Sequence, residues 1–451
     1  MLSLSQICHS AQEKPNVIYI LADDLGYGDI SRYGQREIET PKIDQLAREG
    51  IRFMNHYAGS TVCAPSRCVL MTGLHTGHAR IRGNNPVLMK DTDLTVAKLF
   101  KQSGYTTGCF GKWGIGHPPP YNDPQKKGFD HFFGYINMWH AHNFWPEFLI
   151  ENGKKVDLPN KVLEKYKSPK DKEGRGVAIE KNVYAPDLIA EKALAFIDTN
   201  KEAPFFLFFA LNMPHANNEA GNEVLADFDG MEVPVHGSFS ERDWPRQEKG
   251  FARMIQLIDG YVGQILEKLE THGLTEKTLI IFSSDNGPHQ EGRHKMEFFN
   301  SNGQLKGLKR DLYEGGIRVP MIARWPGTIR SGSVTQHVSA FQDVLPTISE
   351  LIGIPVKKTD GLSFLPTLLG EQMNQKKHPY LYWEFYEKGG RQSVILDHFK
   401  GVRYNMLKNP DAPIELYDLR NDVRENSNIA RLYPDIIDKM KKIIKEAHSD
   451  L

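Results

Sequence analysis

Unbroken runs of apolar and β-branched residues occur at several positions along this chain. Residues 16–22 read NVIYILA, and residues 278–284 read TLIIFSS. Runs without polar alternation are typical of strands that are buried on both faces of a parallel sheet. Shorter runs predict three more strands, at residues 105–110, 205–211 and 319–322, and the last of these is expected to be the final strand of the core.

Helical periodicity alternates with these runs. Capped or amphipathic segments predict helices at residues 40–50, 94–101, 185–198, 251–269 and 341–351. Strands that alternate with helices predict an α/β fold, with a large mostly parallel sheet that has helices on both faces. The polar segments 150–183 and 217–248 are strand-poor and are expected to be excursions over the sheet.

The pattern changes towards the end of the chain. Short antiparallel strands are expected at residues 380–385, 393–397 and 401–406, followed by a helix at 432–447. We therefore predict a main α/β domain over residues 15–375 and a smaller C-terminal α+β subdomain over residues 376–451. Residues 1–14 are interpreted as the remnant of a signal or a disordered start.

Composition excludes several classes of partner. In 451 residues, Lys+Arg and Asp+Glu both number 56, so the formal net charge is zero and no single-sign block appears. This balance argues against a nucleic-acid surface and against electrostatic membrane binding. The longest apolar run is too short to span a membrane. The cysteines are too few for a disulfide framework or a zinc motif: Cys8, Cys63, Cys68 and Cys109.

The stretch from Cys63 to Arg67, CAPSR, is the first candidate for chemistry. Pro65 suits the first turn of a helix, which places Cys63 just ahead of the helix start. The first N–H groups of a helix favour an anion, and Arg67 would add a planar cation one turn further on. Cys63 is therefore either a nucleophile or an ordinary small buried cysteine, and this stretch alone leaves both readings open.

Polar pairs follow the two long apolar runs, namely Asp23-Asp24 and Asp285-Asn286. Ligands of open α/β sheets bind beyond the carboxyl ends of strands, so both pairs can converge on one point. The set offers only oxygen ligands, which suit a hard cation such as calcium or magnesium.

The sequence C-x-P-S-R followed by x-x-L-x-T-G resembles the signature of type I sulfatases, which belong to the alkaline phosphatase superfamily. The resemblance extends from Asn16 to about Ala430 and implies an alkaline phosphatase-like fold. It also implies that a formylglycine-generating enzyme converts Cys63 to formylglycine, whose hydrate is the nucleophile. The layout is most similar to N-acetylgalactosamine-6-sulfatase-like members and bacterial glycan sulfatases. It therefore implies a sulfated saccharide substrate, with galactose or N-acetylgalactosamine sulfate as candidates, and a periplasmic or secreted protein, although a cytoplasmic one is not excluded.

The resemblance also implies the roles of individual residues. One Ca²⁺, or less favourably Mg²⁺, would be held by five residues: Asp23, Asp24, Cys63, Asp285 and Asn286. The sulfate would be held by Arg67, Lys112 and Lys309, and His215 would protonate the leaving oxygen with help from Lys309. The chain departs from the family at Gly114, where many members have a histidine that acts as a base. His117, a carboxylate or water would have to replace it.

Substrate contacts are predicted from two polar stretches. Arg82 and Asn84 form one candidate surface, for which a simple turn is the alternative. His140 and His142 lie in an aromatic stretch that suits a sugar ring, and core packing of its tryptophans is the alternative there.

Two other functions remain open from the sequence. One is a hydrolase of phosphate monoesters, phosphodiesters or phosphonates from the same superfamily. The other is a non-catalytic protein that binds sulfated glycans, which the glycine at position 114 would favour.

Overall fold

The computed structural model describes residues 14–84, 87–115, 123–162, 178–216, 245–292 and 294–450. Within these ranges the strands are β1 (Asn16–Ala22), β2 (Ile51–Tyr57), β3 (Thr106–Lys112), β4 (His131–Tyr135), β5 (Phe148–Glu151), β6 (Lys154–Asp157), β7 (Lys161–Val162), β8 (Ala178–Glu180), β9 (Phe205–Ala210), β10 (Thr278–Ser284), β11 (Met321–Arg324), β12 (Ser333–Ala340), β13 (Leu381–Phe385), β14 (Arg391–Leu396), β15 (Phe399–Tyr404) and β16 (Ile414–Asp418). The α-helices are α1 (Pro41–Glu49), α2 (Cys63–Thr72), α3 (Val96–Gln102), α4 (Ala185–Asn200), α5 (Arg246–Thr271), α6 (Glu314–Ile317), α7 (Val344–Ile352), α8 (Leu365–Leu368) and α9 (Pro434–Ala447).

Ten of the described strands form one large sheet in the order β12-β2-β11-β10-β1-β9-β3-β4-β5-β6. At its centre β1 pairs in parallel with β9 and β10, and β3 pairs in parallel with β9 and β4. The strand β11 is antiparallel to both of its neighbours, and β5 and β6 form an antiparallel edge. The predicted mostly parallel sheet is therefore confirmed.

Helices cover both faces of this sheet, as the alternation predicted. Ile18 and Ile20 of β1 pack in one core with α1, α4 and α5. Val17, Tyr19 and Leu21 of the same strand pack in the opposite core with α2, α3 and α7. Every residue of β1 is buried, which explains why its sequence carries no polar alternation.

Two expectations about strands need correction. The core sheet does not end at residues 319–322, because β12 follows β11 and forms an edge beside β2. Its residues are partly exposed and polar, so no apolar run marks it in the sequence. Residues 150–183 are not strand-poor either, since β5 to β8 lie wholly or partly within the segment. The segment 217–248 lies mostly outside the described residues.

The strands β13 to β16 form a separate antiparallel sheet, against which α9 packs. The indole Nε1 of Trp383 in β13 donates a hydrogen bond of 2.9 Å to the carbonyl oxygen of Ala58, which lies just before α2. The smaller C-terminal unit is thus fastened beside the stretch that contains Cys63. The boundary between residues 375 and 376 stays a prediction, and residues 1–13 lie outside the described range.

A buried ion network joins the C-terminal sheet to helix α6. The ammonium group of Lys400 in β15 lies 2.8 Å from Glu314 Oε1 and 3.3 Å from Glu425 Oε1, and all three side chains are fully buried. Replacing the lysine would leave two buried carboxylates without this counter-charge. We expect Lys400→Met to lower the free energy of unfolding by about 3–5 kcal/mol, measured by chemical denaturation.

The matched control for this variant is Lys441→Met. Lys441 pairs with Asp438 at 3.1 Å, but the two side chains are 59% and 73% exposed. An exposed pair contributes at most about 1 kcal/mol. An equal loss of stability in the two variants would contradict the assigned importance of the buried network.

Candidate active site

The carboxyl ends of β1 and β10 bring the two predicted polar pairs together. The strands are in register up to Ala22 and Ser284, so the residues that follow are neighbours. The backbone N–H of Asp24 donates to Asp285 Oδ1 at 3.1 Å, and Asn286 Nδ2 donates to Asp24 Oδ1 at 2.6 Å. The chain turns at Asp24 with φ of 65°, a left-handed conformation that aspartate tolerates better than most residues.

Cys63 is the first residue of α2, one position further into the helix than the sequence predicted. Its side chain is buried at 3% exposure, and every residue of α2 is buried. Burial raises the pKa of the Cys63 thiol, and Asp23 adds to this effect, whereas Lys112 opposes it. The unmodified thiol is therefore held protonated, a form that is a poor nucleophile.

Arg67 links helix α2 to the carboxyl ends of three strands. Its Nε donates to Asp285 Oδ2 at 2.8 Å, its Nη1 donates to the carbonyl oxygen of Lys112, and its Nη2 lies 3.8 Å from Asp23 Oδ1. The guanidinium group is fully buried and remains charged, because the two aspartates outweigh the effect of burial and raise its pKa. One residue of α2 thus fixes the relative positions of β1, β3 and β10.

Two lysines each pair with one of the adjacent aspartates. Lys112 Nζ lies 2.6 Å from Asp23 Oδ2, and Lys309 Nζ lies 2.7 Å from Asp24 Oδ2. Burial disfavours their ammonium forms, but the aspartates outweigh burial and raise the pKa of both lysines. Two fixed positive charges therefore lie beside the carboxylates.

His215 follows β9 and reaches the same cluster. Its Nδ1 lies 2.8 Å from the carbonyl oxygen of Ala216, which can only accept, so Nδ1 carries the proton in the neutral ring. Its Nε2 then accepts from Lys309 Nζ at 2.9 Å and lies 3.3 Å from Asp24 Oδ2. Burial lowers the pKa of His215, opposed by Asp24. The proton between the two nitrogens therefore lies on Lys309, and its N–H points at the lone pair of His215 Nε2.

The donor set fits a hard divalent cation. Asp23 Oδ1 and Asn286 Oδ1 are both buried and have no hydrogen-bond partner among the described residues. Burial, with repulsion from Asp23, raises the pKa of Asp285 to about 7. A cation among these oxygens would satisfy the orphaned atoms and neutralise the repulsion. The predicted ligands Asp24, Asp285 and Asn286 thus lie together, and their binding of a cation stays a prediction.

Gly114 lies beside these groups in a left-handed conformation with φ of 69°. A Cβ atom at this position would lie 3.1 Å from Cδ of Arg67 and 3.3 Å from Cε of Lys112. The family's missing histidine would therefore project from the immediate surroundings of the site. His117, its predicted substitute, lies outside the described residues.

The predicted substrate contacts divide into two groups. His142 lies at the site, because its ring stacks on that of His215 with centroids 4.3 Å apart. His140 is instead buried between the rings of Tyr135 and Phe148, and burial lowers its pKa to about 3. The structure therefore places His140 in the core, where the sequence analysis expected a substrate contact.

Arg82 serves the C-terminal unit rather than the cluster around Cys63. Its guanidinium group lies 2.9 Å from Glu384 Oε1 and donates to the carbonyl oxygens of Gly77, Ala79 and Ser449. Its hydrogen-bonding capacity is thus occupied within the protein. The backbone N–H of Asn84 donates to Glu387 Oε1 at 3.2 Å.

Two carboxylates near the site, Glu291 and Glu387, were missed by the sequence analysis, and Arg310 links them. Glu291 lies 3.2 Å from Lys309 Nζ, Arg310 pairs with Glu291 at 2.5 Å, and Glu387 lies 3.6 Å from Arg310. Glu291 follows Asp285 by six positions in a loop, with no periodicity that would mark it. Only the folded arrangement brings these groups to the edge of the site.

A second histidine–carboxylate cluster lies in the loop after α2. His78 Nδ1 lies 2.9 Å from Asp360 Oδ1, and the rings of His75 and His78 stack with centroids 4.4 Å apart. The Nδ1 of His75 accepts from the backbone N–H of Gly77, so its neutral ring carries the proton on Nε2 and offers no lone pair towards Asp360. This cluster therefore fastens two loops together.

Within the described ranges, no helix combines the length and apolarity needed to cross a bilayer.

Taken together, the fold and the site define an ester hydrolase with an alkaline phosphatase-like architecture. In its site Cys63, at the start of α2, lies among buried ammonium and guanidinium groups and beside oxygen atoms that suit a hard metal ion. The family model described as Sulfatase matches residues 15–354, and the chain belongs to the sulfatase family. A second family model, described as N-sulphoglucosamine sulphohydrolase, C-terminal, matches residues 307–450.

Curated relatives agree with this assignment. The N-acetylgalactosamine-6-sulfatase of Mus musculus is 30% identical over 88% of this chain and 74% of its own length. The N-acetylgalactosamine-6-O-sulfatase of Bacteroides thetaiotaomicron is 28% identical over 96% of this chain and 93% of its own length. Among solved structures, Ps i-CgsB in complex with k-i-k-neocarrahexaose superposes with a TM-score of 0.78 at 27% identity, covering 96% of this chain and 93% of that chain.

Proposed function

We propose that this sulfatase removes sulfate from a sulfated carbohydrate by means of a formylglycine derived from Cys63 and a bound Ca²⁺. The observation that carries the proposal is the convergence of Asp23, Asp24, Asp285 and Asn286, with two orphaned oxygens, beside the first residue of α2. The names of the relatives support a sulfated sugar, and galactose or N-acetylgalactosamine sulfate are our candidates.

The modified side chain would supply the oxygen nucleophile that the unmodified Cys63 lacks, and the cation would supply further positive charge. Conversion of Cys63 gives an aldehyde whose hydrate is an oxygen nucleophile, and the cation would stabilise negative charge on the sulfate oxygens. The protonated thiol described above could supply neither the nucleophile nor a second hydroxyl group. Conversion requires a formylglycine-generating enzyme as a partner, and export to the periplasm or medium stays a prediction.

The chain's own residues perform binding and proton transfer. Lys112 and Lys309 are fixed ammonium groups, and Arg67 is a fixed guanidinium group, so the charged oxygens of a sulfate ester meet preorganised positive charge. In the His215–Lys309 pair, an N–H of the lysine ammonium group lies at hydrogen-bond distance from His215 Nε2. This pair would protonate the ester oxygen as the sugar leaves.

We expect His215→Ala to lower turnover of a sugar sulfate by about 100- to 10,000-fold, the usual contribution of general acid catalysis. The loss should shrink for aryl sulfates with acidic phenols, because such leaving groups need no proton. The measurement is kcat/KM over a series of aryl sulfates with graded phenol acidity. An equal loss across the series would remove His215 from the proton-donor role.

Two measurements on the same preparation test the proposal as a whole. The protein is produced with a formylglycine-generating system, and the peptide that contains residue 63 is examined by mass spectrometry. Release of sulfate from sulfated sugars is then compared with release of phosphate from matched phosphate esters. Sulfate release that scales with conversion of Cys63 is expected. Preference for the phosphate esters would favour the phosphohydrolase alternative, and full conversion without turnover would favour a binding protein.

A further inference from the structure

Glu291 lies between the catalytic cluster and solvent. Its Oε2 is 3.2 Å from Lys309 Nζ and 3.8 Å from His215 Nε2, and its Oε1 is 2.5 Å from Arg310 Nη1. Its side chain is 34% exposed, whereas those of Lys309 and His215 are 3% exposed. A molecule that approaches the proton donor from solvent therefore meets this carboxylate.

The carboxylate keeps capacity to accept hydrogen bonds. A carboxylate offers about four lone-pair sites, and among the residues that the structure describes, the contacts with Lys309 and Arg310 use two of them. Burial would favour the neutral form, but Lys309, His215 and Arg310 outweigh it and lower the pKa of Glu291. The group is thus a charged acceptor whose remaining sites suit hydroxyl donors.

The charge around Glu291 disfavours a second anion at this position. Arg310 lies between Glu291 and Glu387, at 2.5 Å and 3.6 Å, so one guanidinium group is shared by two carboxylates. Arg310 has a left-handed backbone with φ of 78°, and its N–H is fixed to the carbonyl oxygen of Thr61 at 3.0 Å. Lys309 and Arg310 offset Glu291 and Glu387, so among the described residues both cations beside Glu291 are already paired, and neutral hydroxyl groups fit this position better than a second anion.

We infer that Glu291 is a specificity-determining residue whose carboxylate accepts a hydrogen bond from the sugar hydroxyl nearest to the sulfate ester. The inference rests on the proposed function, because it assumes that the ester oxygen faces His215 and Lys309. A hydroxyl close to that oxygen on the sugar ring then comes within reach of Glu291 Oε2. The substrate class is a sulfated sugar with a free hydroxyl beside the ester and without a second anionic group there.

A purely positioning role for Glu291 makes a different prediction. If the carboxylate only holds Lys309 in place, its loss slows every sulfate ester by a similar factor. If it binds a hydroxyl, its loss acts on substrates that carry this hydroxyl. A cycle of two enzymes and two substrates separates these roles, because the coupling between residue and hydroxyl is measured directly.

The cycle compares the wild-type enzyme and Glu291→Gln on N-acetylgalactosamine 6-sulfate and its 4-deoxy analogue, with nitrophenyl sulfate as a reference. We expect the wild type to prefer the hydroxyl-bearing sugar by about ten-fold or more in kcat/KM, the usual size for a hydrogen bond to a charged group. Glu291→Gln should lose most of this preference. The matched control Glu387→Gln, which changes the outer partner of Arg310, should keep it.

Each outcome bears on the inference. Equal losses of Glu291→Gln on both sugars, with the preference retained, would overturn it in favour of positioning alone. Wild-type turnover of nitrophenyl sulfate without turnover of the sugar would overturn it as well. Absence of sulfate release from all three esters by fully converted enzyme would instead overturn the proposed function, and the inference with it.

Discussion

Cys63→Ala is expected to abolish sulfate release, with a loss in kcat of about 10,000-fold or more, because it removes the nucleophile itself. Cys63→Ser keeps an oxygen nucleophile but has no second hydroxyl on the same carbon. Sulfate transferred to serine could not be expelled by cleavage of the C–O bond and should remain attached. Steady-state assays measure the first effect, and the intact mass of Cys63→Ser after incubation with substrate measures the second.

The control for these variants is Cys68→Ala, five positions further along α2. Cys68 is also buried, and burial raises the pKa of its thiol to about 12, which disfavours the reactive thiolate. Activity of the folded Cys68→Ala enzyme should stay within a few-fold of the wild type. Comparable losses at both positions would mean that the helix, rather than the Cys63 side chain, is what the substitutions disturb.

Removal of the cation should produce the second large effect. After treatment with a chelator, we expect the wild-type enzyme to lose turnover and to regain it with Ca²⁺. A cation that binds only the folded state stabilises it by about 2.7 kcal/mol at a hundred-fold excess over its dissociation constant. Thermal unfolding with and without Ca²⁺ therefore measures binding independently of activity.

Asp24→Asn is the informative variant for this measurement. Asparagine tolerates the left-handed backbone at this position and nearly preserves the side-chain shape, but it removes one of the charges that would hold the cation. The thermal shift with Ca²⁺ should disappear in this variant and persist in Asp438→Asn, whose side chain is 73% exposed. A wild-type enzyme without any shift in Ca²⁺ or Mg²⁺ would contradict the assigned donor set.

The sequence was most informative where one physical requirement acts on consecutive residues. The fully buried β1 demands an unbroken apolar run, and the polar pair that ends it lies at the carboxyl edge by geometry alone. The convergence of Asp24 and Asp285 could therefore be predicted. In contrast, β12 is partly exposed at the sheet edge and leaves only a weak pattern.

Side chains whose role depends on distant partners could not be predicted. Arg82 resembles a substrate-binding group in sequence, but its partners Glu384 and Ser449 lie more than 300 positions later. Glu291 is the opposite case, because nothing in the neighbouring sequence suggests a role for it and only the fold brings it next to Lys309. The pairing of Lys112 with Asp23 and of Lys309 with Asp24 could likewise not be predicted from the sequence.

The ties of Arg82 to Glu384 and to the carbonyl oxygen of Ser449 also set an order of events during synthesis. The chain that follows α2 is held by residues that leave the ribosome hundreds of positions later. The stretch around Cys63 likewise lacks its contacts with Asp285 and Trp383 until those residues have been synthesised. The proposed conversion of Cys63 would therefore have to precede completion of the fold, because the cysteine is buried in the finished protein.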